Sequence, residues 1–149
     1  MKKLTQLVPD VREALQTGME EAVVKVHREL VQDGPWWSGQ FAYSWEVEAG
    51  KKAIPANVDL VSSDRTRRRD EDPQIDVPDS PNLGGYTLGN RSRYRLYAMD
   101  VLGSPDGRGR QKGTAPNKTA EANWYDTYRN AKLGKTINST LVNVFRRYS

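Results

Sequence analysis

The sequence predicts an α+β domain: a small, mostly antiparallel sheet packed against a long N-terminal helix, with a helical C-terminus and long loops. Three observations carry this. Apolar residues recur at spacings of three and four over residues 9–33, the period of one helix face. Aromatic and apolar residues alternate with polar ones over 40–49, the period of a half-buried strand. From Thr119 to the last residue the helical spacing returns.

The first helix is the clearest element. Val8, Val11, Leu15, Met19, Ala22, Val23, Val26 and Leu30 share one face, which the pattern assigns to the core. Pro9 suits the first helical position, where a missing N–H is harmless. Asp10 and Glu13 in the first turn complement the helix dipole, and Gly34 followed by Pro35 is a stop signal.

In 40-QFAYSWEVEA-49, Phe41, Tyr43, Trp45 and Val47 point one way, and Gln40, Ala42, Ser44, Glu46 and Glu48 the other. A second strand is expected at 57–62, with Val58, Leu60 and Val61. Residues 63–85 then form a long charged loop, dense in Pro and Gly, of a length that is usually functional or ordered by partners. Tyr94, Leu96, Ala98, Val101 and Leu102 fit strand or helix equally. Residues 103–118 read as a flexible basic loop. Two helical segments close the chain, with Trp124, Tyr128 and Ala131 on one face of the first. Ile137, Leu141, Val144, Phe145 and Tyr148 share a face of the second, and Gly134 is the expected break between them.

The 149 residues fit a single domain, 1–149. Mean hydropathy is -0.80, polar for a self-sufficient globule, so part of the chain is expected to order against partners. No cysteine is present, which excludes disulfides and thiolate metal sites, and one histidine excludes a histidine-rich metal cluster. No run approaches the roughly 18–20 apolar residues of a membrane span, and MKKLTQLVPD lacks the apolar core of a signal peptide. A soluble protein made in the cytoplasm is expected. Residues 1–50 carry a net charge of -3, residues 51–110 of +2, and residues 111–149 of +5. An acidic front and a basic back suit head-to-tail packing of identical subunits as well as they suit nucleic acid.

No residues assemble into an enzyme site, and no cofactor or metal is expected. His27 lies among Val23, Val26 and Leu30 with no ligand or triad partner at suitable spacing, so a structural role is the expectation. Asp70, Glu71, Asp72, Asp76 and Asp79 match no calcium-loop spacing and are interrupted by Pro73 and Pro78. The glycines form neither a dinucleotide fingerprint nor a phosphate loop. The block Arg65, Arg67, Arg68 and Arg69 could neutralise phosphates, yet Asp64, Asp70, Glu71 and Asp72 flank it, which also fits a loop pairing with itself or a neighbour. The aromatic cluster Trp36, Trp37, Phe41, Tyr43 and Trp45 could stack bases, but its nearest charges are Asp33, Glu46 and Glu48. Packing in the core or at a subunit interface is the better expectation.

Two stretches carry a resemblance. The turn 33-DGPWWSGQFAYSW-45 resembles the "P-V-D-T-G-x-L-x-x-S-W" turn of phage tail-completion and neck proteins, the group of the lambda minor tail protein Z. Ser38 and Gly39 stand for its Thr-Gly, Phe41 for its Leu, and Ser44 and Trp45 for its Ser-Trp. Farther on, 89-GNRSRYRLYAMDVLGSPDG-107 resembles that family's "N-x-x-x-Y-A-x-x-x-E-x-G" stretch through Asn90, Tyr97, Ala98 and Gly103. Trp36 and Trp37 replace the family's Val-Asp, Asp100 falls out of register with its acidic residue, and the 63–85 segment is longer. The resemblance implies a non-enzymatic virion protein at the head–tail junction. It would form a homo-oligomeric ring, typically of six subunits, contacting connector and tail-tube proteins, with DNA passing through the lumen and no membrane involved. Subunit-interface candidates are then Trp36, Trp37, Phe41, Tyr43, Trp45, Tyr97 and Asp100. Candidates for facing the lumen or an adjacent ring are Arg65, Arg67, Arg68, Arg69, Arg108, Arg110 and Lys112. A small nucleic-acid-binding protein, using the Arg block and the basic last third, is the alternative.

Overall fold

A computed structural model describes residues 4–34, 41–56, 73–92, 95 and 124–149. The architecture is α+β. Helix α1 spans Leu4–Asp33, strand β1 Trp45–Ala49 and strand β2 Tyr86–Asn90. Helix α2 spans Trp124–Tyr128 and continues through a π-helical turn, Arg129–Leu133, into helix α3, Gly134–Tyr148. The strand expected at 57–62 and the apolar segment at 94–102 fall outside the described residues apart from Arg95, as do residues 63–72 of the 63–85 loop and the whole of the 103–118 loop.

Helix α1 begins five residues before the expected start, which places Pro9 inside it. The proline deletes one i→i−4 hydrogen bond, but it does so in exposed early turns. The far end behaves as the sequence indicates. Asp33 is the last helical residue, and the Gly34 N–H donates to the Leu30 carbonyl at 3.0 Å.

Strand β1 is shorter than the alternation implied. Residues 41–43 form a turn in which the Ser44 N–H donates to the Phe41 carbonyl. Phe41 and Ala42 are consecutive and both buried, which a strand with one wet face cannot provide. From Trp45 the alternation holds, with Trp45 and Val47 buried and Glu46 and Glu48 half-exposed. Its partner is β2, a segment to which the sequence reading assigned no element. The antiparallel register sets Trp45 opposite Asn90, Val47 opposite Leu88 and Ala49 opposite Tyr86. YTLGN offers one aliphatic residue, so pairing with β1 and not its own composition makes it a strand.

The chain leaves β1 through Gly50 (φ +74) and folds back over β2. Lys52 N–H donates to Thr87 Oγ1, and Thr87 Oγ1 donates to the Gly50 carbonyl. Ile54 comes to rest against Gly89, so close that a Cβ there would lie 2.8 Å from the Ile54 Cβ. A β-branched Cβ cannot rotate away. Gly89→Ala is expected to destabilise the domain by roughly 1–3 kcal/mol, the usual range for overpacking, and Gly89→Ala should cost much less in a chain that already carries Ile54→Gly, which removes the opposing Cβ. Urea unfolding of the single and double variants measures it.

The C-terminal segments run antiparallel to α1. Gly134 does not break them: its backbone is helical (φ -62, ψ -39). The wider π-turn keeps Tyr128, Lys132 and Thr136 on the side facing α1, where they meet an i,i+4 row of acidic groups. Tyr128 Oη donates to Glu29 Oε2 at 2.9 Å, and Thr136 Oγ1 donates to the same carboxylate at 2.8 Å. Lys132 pairs with Asp33 and Arg147 with Glu21, both at 2.6 Å. Part of the acidic-front, basic-back asymmetry is therefore satisfied within the chain. Gly18 lets the helices approach, with Leu141 Cδ2 where a side chain would start. Trp124 and Tyr128 are buried as the periodicity requires, while Ala131 is exposed, turned out by the change of pitch.

Candidate assembly surface

The described core sits where α1, β1 and α2 meet. Val26, Leu30, Val31, Phe41, Ala42, Trp45, Trp124 and Tyr128 form one buried cluster, with Leu88 and Ile75 packed on it. Phe41 is at its centre, edge-on to Trp45 (centroids 5.6 Å apart) and to Trp124 (6.1 Å). Such edge-to-face pairs add about 0.5–1.5 kcal/mol beyond burial. Phe41 and Trp45, expected among the interface candidates, are thus buried within their own chain, and their area belongs to its core. Tyr43 is half-buried. Trp36, Trp37, Tyr97 and Asp100 lie outside the described residues, as do Arg65, Arg67, Arg68, Arg69, Arg108, Arg110 and Lys112.

A buried polar clamp fixes the turn before β1 to the end of β2. Asn90 Nδ2 donates to the Phe41 carbonyl at 2.7 Å, and Asn90 Oδ1 accepts from the Ser92 N–H at 2.8 Å. The Arg91 N–H donates to the Ser44 carbonyl, and the Arg91 guanidinium lies 3.1 Å from Glu46. That ion pair is partly exposed and contributes little; the Asn90 bonds, sealed from water, hold the turn. Sequence spacing marked Asn90 only through its place in a motif. Its structural task depends on a contact across 49 residues, which no local pattern encodes.

His27 is 3% exposed, and its Nδ1 has no hydrogen-bond partner among the described residues. Burial, reinforced by the neighbouring Arg28 charge, lowers its pKa from 6.5 to about 4. The imidazole is neutral in the fold at pH 7, as a structural histidine would be. Above pH 6.5 folded and unfolded chains bind the same number of protons here. Below it the unfolded chain gains one that the folded chain resists, so stability falls as pH drops from 6.5 to about 4. The loss expected from His27 is on the order of 2–3 kcal/mol. His27→Leu should flatten that part of the stability–pH curve, measured by urea unfolding at fixed pH steps.

Tyr128 is held neutral by burial first and by its bond to Glu29 second, both raising its pKa. Tyr86 is likewise raised, by desolvation and then by Glu20. Its hydroxyl accepts from Gln16 Nε2 at 2.8 Å and so ties the sheet to α1. Among the described residues no group of three or more His, Asp or Glu side chains is placed to hold a metal. Asp76 and Asp79 are exposed. Among the described residues no helix is long and apolar enough to cross a membrane.

The surface departs from expectation at the start of α1. Val8 and Val11 belong to the apolar stripe assigned to the core, yet Leu7, Val8 and Val11 are 49%, 56% and 45% exposed. Leu15 and Met19 are half-buried, and the stripe is fully buried only from Ala22 onward. On α3, Ile137 and Val142 are also exposed. These five are the exposed large hydrophobic side chains among the described residues.

No protein-family model, curated protein or solved structure gives a significant match to this chain.

Proposed function

We propose that this chain is a structural, non-enzymatic subunit of a tailed-phage virion, acting at the head–tail junction as a tail-completion or neck protein. In this role it assembles with copies of itself into a ring, contacts connector and tail-tube proteins, and surrounds the path of the DNA. The observation that carries the reading is the Asn90 clamp. The two stretches that resemble the family, 33–45 and 89–107, are far apart in sequence, yet Asn90 in the second donates to Phe41 in the first. The two stretches meet where β1 pairs with β2, which is the arrangement the family reading needs.

The chemistry of the subunit suits the role. Its buried polar groups, Asn90, Glu29 with Tyr128 and Thr136, and His27, serve packing and hydrogen bonding within the domain. Its apolar surplus lies on the surface, where a neighbour can cover it.

Interrupting the reading frame in the phage genome that encodes it tests the proposal. Filled heads and unattached tails should accumulate, and protein supplied from a plasmid should restore joined particles. Normal tailed particles from the interrupted genome would overturn the reading. The nucleic-acid alternative predicts instead that the isolated chain binds duplex DNA with affinity falling steeply as salt rises.

A further inference from the structure

We infer that the outward side of α3 is a contact for the phosphate backbone of duplex DNA, centred on Lys135 and Arg146. This rests on the head–tail reading above, in which DNA passes the subunit, and names a surface that meets it.

From Thr127 to Ser149 the side chains include Arg129, Lys132, Lys135, Arg146 and Arg147 and no Asp or Glu. Two of these cations are spent inside the chain, Lys132 on Asp33 and Arg147 on Glu21. The remaining acids of α1 from Glu13 onward are engaged as well. Tyr148 reaches Glu13, Gln16 and Tyr86 reach Glu20, and Tyr128 and Thr136 share Glu29. Lys135 and Arg146 are exposed, with no carboxylate partner among the described residues. Thr140 and Val144 are the residues of α3 buried against the rest of the chain. Lys135 and Arg146 lie on the opposite side, three helical turns apart, with exposed Asn138 and Asn143 on its flanks.

The chemistry of that side selects its partner. Free cations beside amide donors, with the neighbouring carboxylates already bonded, suit a polyanion. Val142 is the single exposed apolar side chain there, and no exposed aromatic one stands near it. A protein interface would therefore lack the buried anchors that carry its energy, and a single strand would find no ring to stack on. Backbone contact with a duplex needs neither. The spacing agrees. Three turns set the two cations about 16 Å apart along the axis. Leaning inward, their side chains reach phosphates on both walls of a major groove about 12 Å wide.

Fluorescence anisotropy tests the surface, with the full chain titrated into a labelled duplex of arbitrary sequence between about 50 and 200 mM salt. The wild type is expected to bind. Lys135→Gln combined with Arg146→Gln should bind roughly tenfold more weakly at the lower salt, with a salt slope smaller by about 1.8, or about 0.9 for each lost phosphate contact. Arg12→Gln combined with Lys51→Gln removes the same charge from exposed positions elsewhere and should bind as the wild type does. Circular dichroism verifies that both variants fold. Four results would overturn the inference: a wild type that does not bind duplex, an α3 variant that binds as the wild type does, a control that loses as much, which makes net charge the cause, or equal affinity for polyglutamate, which makes an acidic protein the partner. Full binding by the α3 variant together with unattached tails from the interrupted genome would remove this surface and leave the head–tail role standing. Lost binding together with normal tailed particles would do the reverse.

Discussion

Trp124→Ala is expected to cost about 3–5 kcal/mol, the range for deleting a buried aromatic side chain. That is a large share of the roughly 5–15 kcal/mol that stabilises an ordinary domain. The magnitude follows from what Trp124 touches. It is 5% exposed, stands edge-on to Phe41 and Tyr125, and its Cη2 would lie 3.1 Å from a side chain at Gly34. It therefore plugs the end of α1 and joins the C-terminal helices to the cluster around Phe41. Removing it opens a cavity that rigid helix ends on both sides cannot collapse into. Urea unfolding should show the midpoint falling by about half with the slope retained, and Trp124→Phe should recover a large part by keeping the edge-to-face contact with Phe41. An unchanged midpoint for Trp124→Ala would show that the cluster contributes little.

That Trp124 matters was visible in the sequence, because it shares a helical face with Tyr128. What it packs on was not. The 3.6-residue period located α1, the C-terminal helices and their buried faces, since helix periodicity is local. It misplaced features that tertiary contacts decide. Pro9 stayed helical because the turns around it are wet. Gly134 stayed helical because the residues on either side of it, Lys132 and Thr136, are held against α1 by Asp33 and Glu29. Strand β2 escaped notice because YTLGN becomes a strand only beside β1. Val8 and Val11 read as core because the stripe runs unbroken along the helix, and its period does not record where the rest of the chain stops covering it. Phe41 and Trp45 were legible as buried aromatics, but composition could not divide core from interface.

The clamp at Asn90 yields the second large effect. Replacing Asn90 by Leu keeps the branched outline but takes the acceptor from the Ser92 N–H and leaves the Phe41 carbonyl with the Ser44 N–H as its donor, in a site where Asn90 is 2% exposed and Ser92 fully buried. Depriving a buried backbone group of its partner costs roughly 1–3 kcal/mol, and a loss in the upper part of that range is expected because a second bond goes with it. Asn90→Asp separates the hydrogen-bond account from a purely steric one. The carboxylate can still accept from Ser92 but sets negative charge against the Phe41 carbonyl, which burial and repulsion disfavour. Its folded pKa should therefore rise above the unfolded value of about 3.9. Stability relative to the wild type should then be poorest at neutral pH and improve as pH falls through the folded pKa, when the protonated acid can again donate to Phe41. Referring each pH to the wild type removes the His27 contribution, which runs the opposite way. If Asn90→Leu and Asn90→Asp instead match the wild type throughout, the turn that carries the aromatic core is held by packing alone, and the contact between the two family-like stretches loses its structural importance.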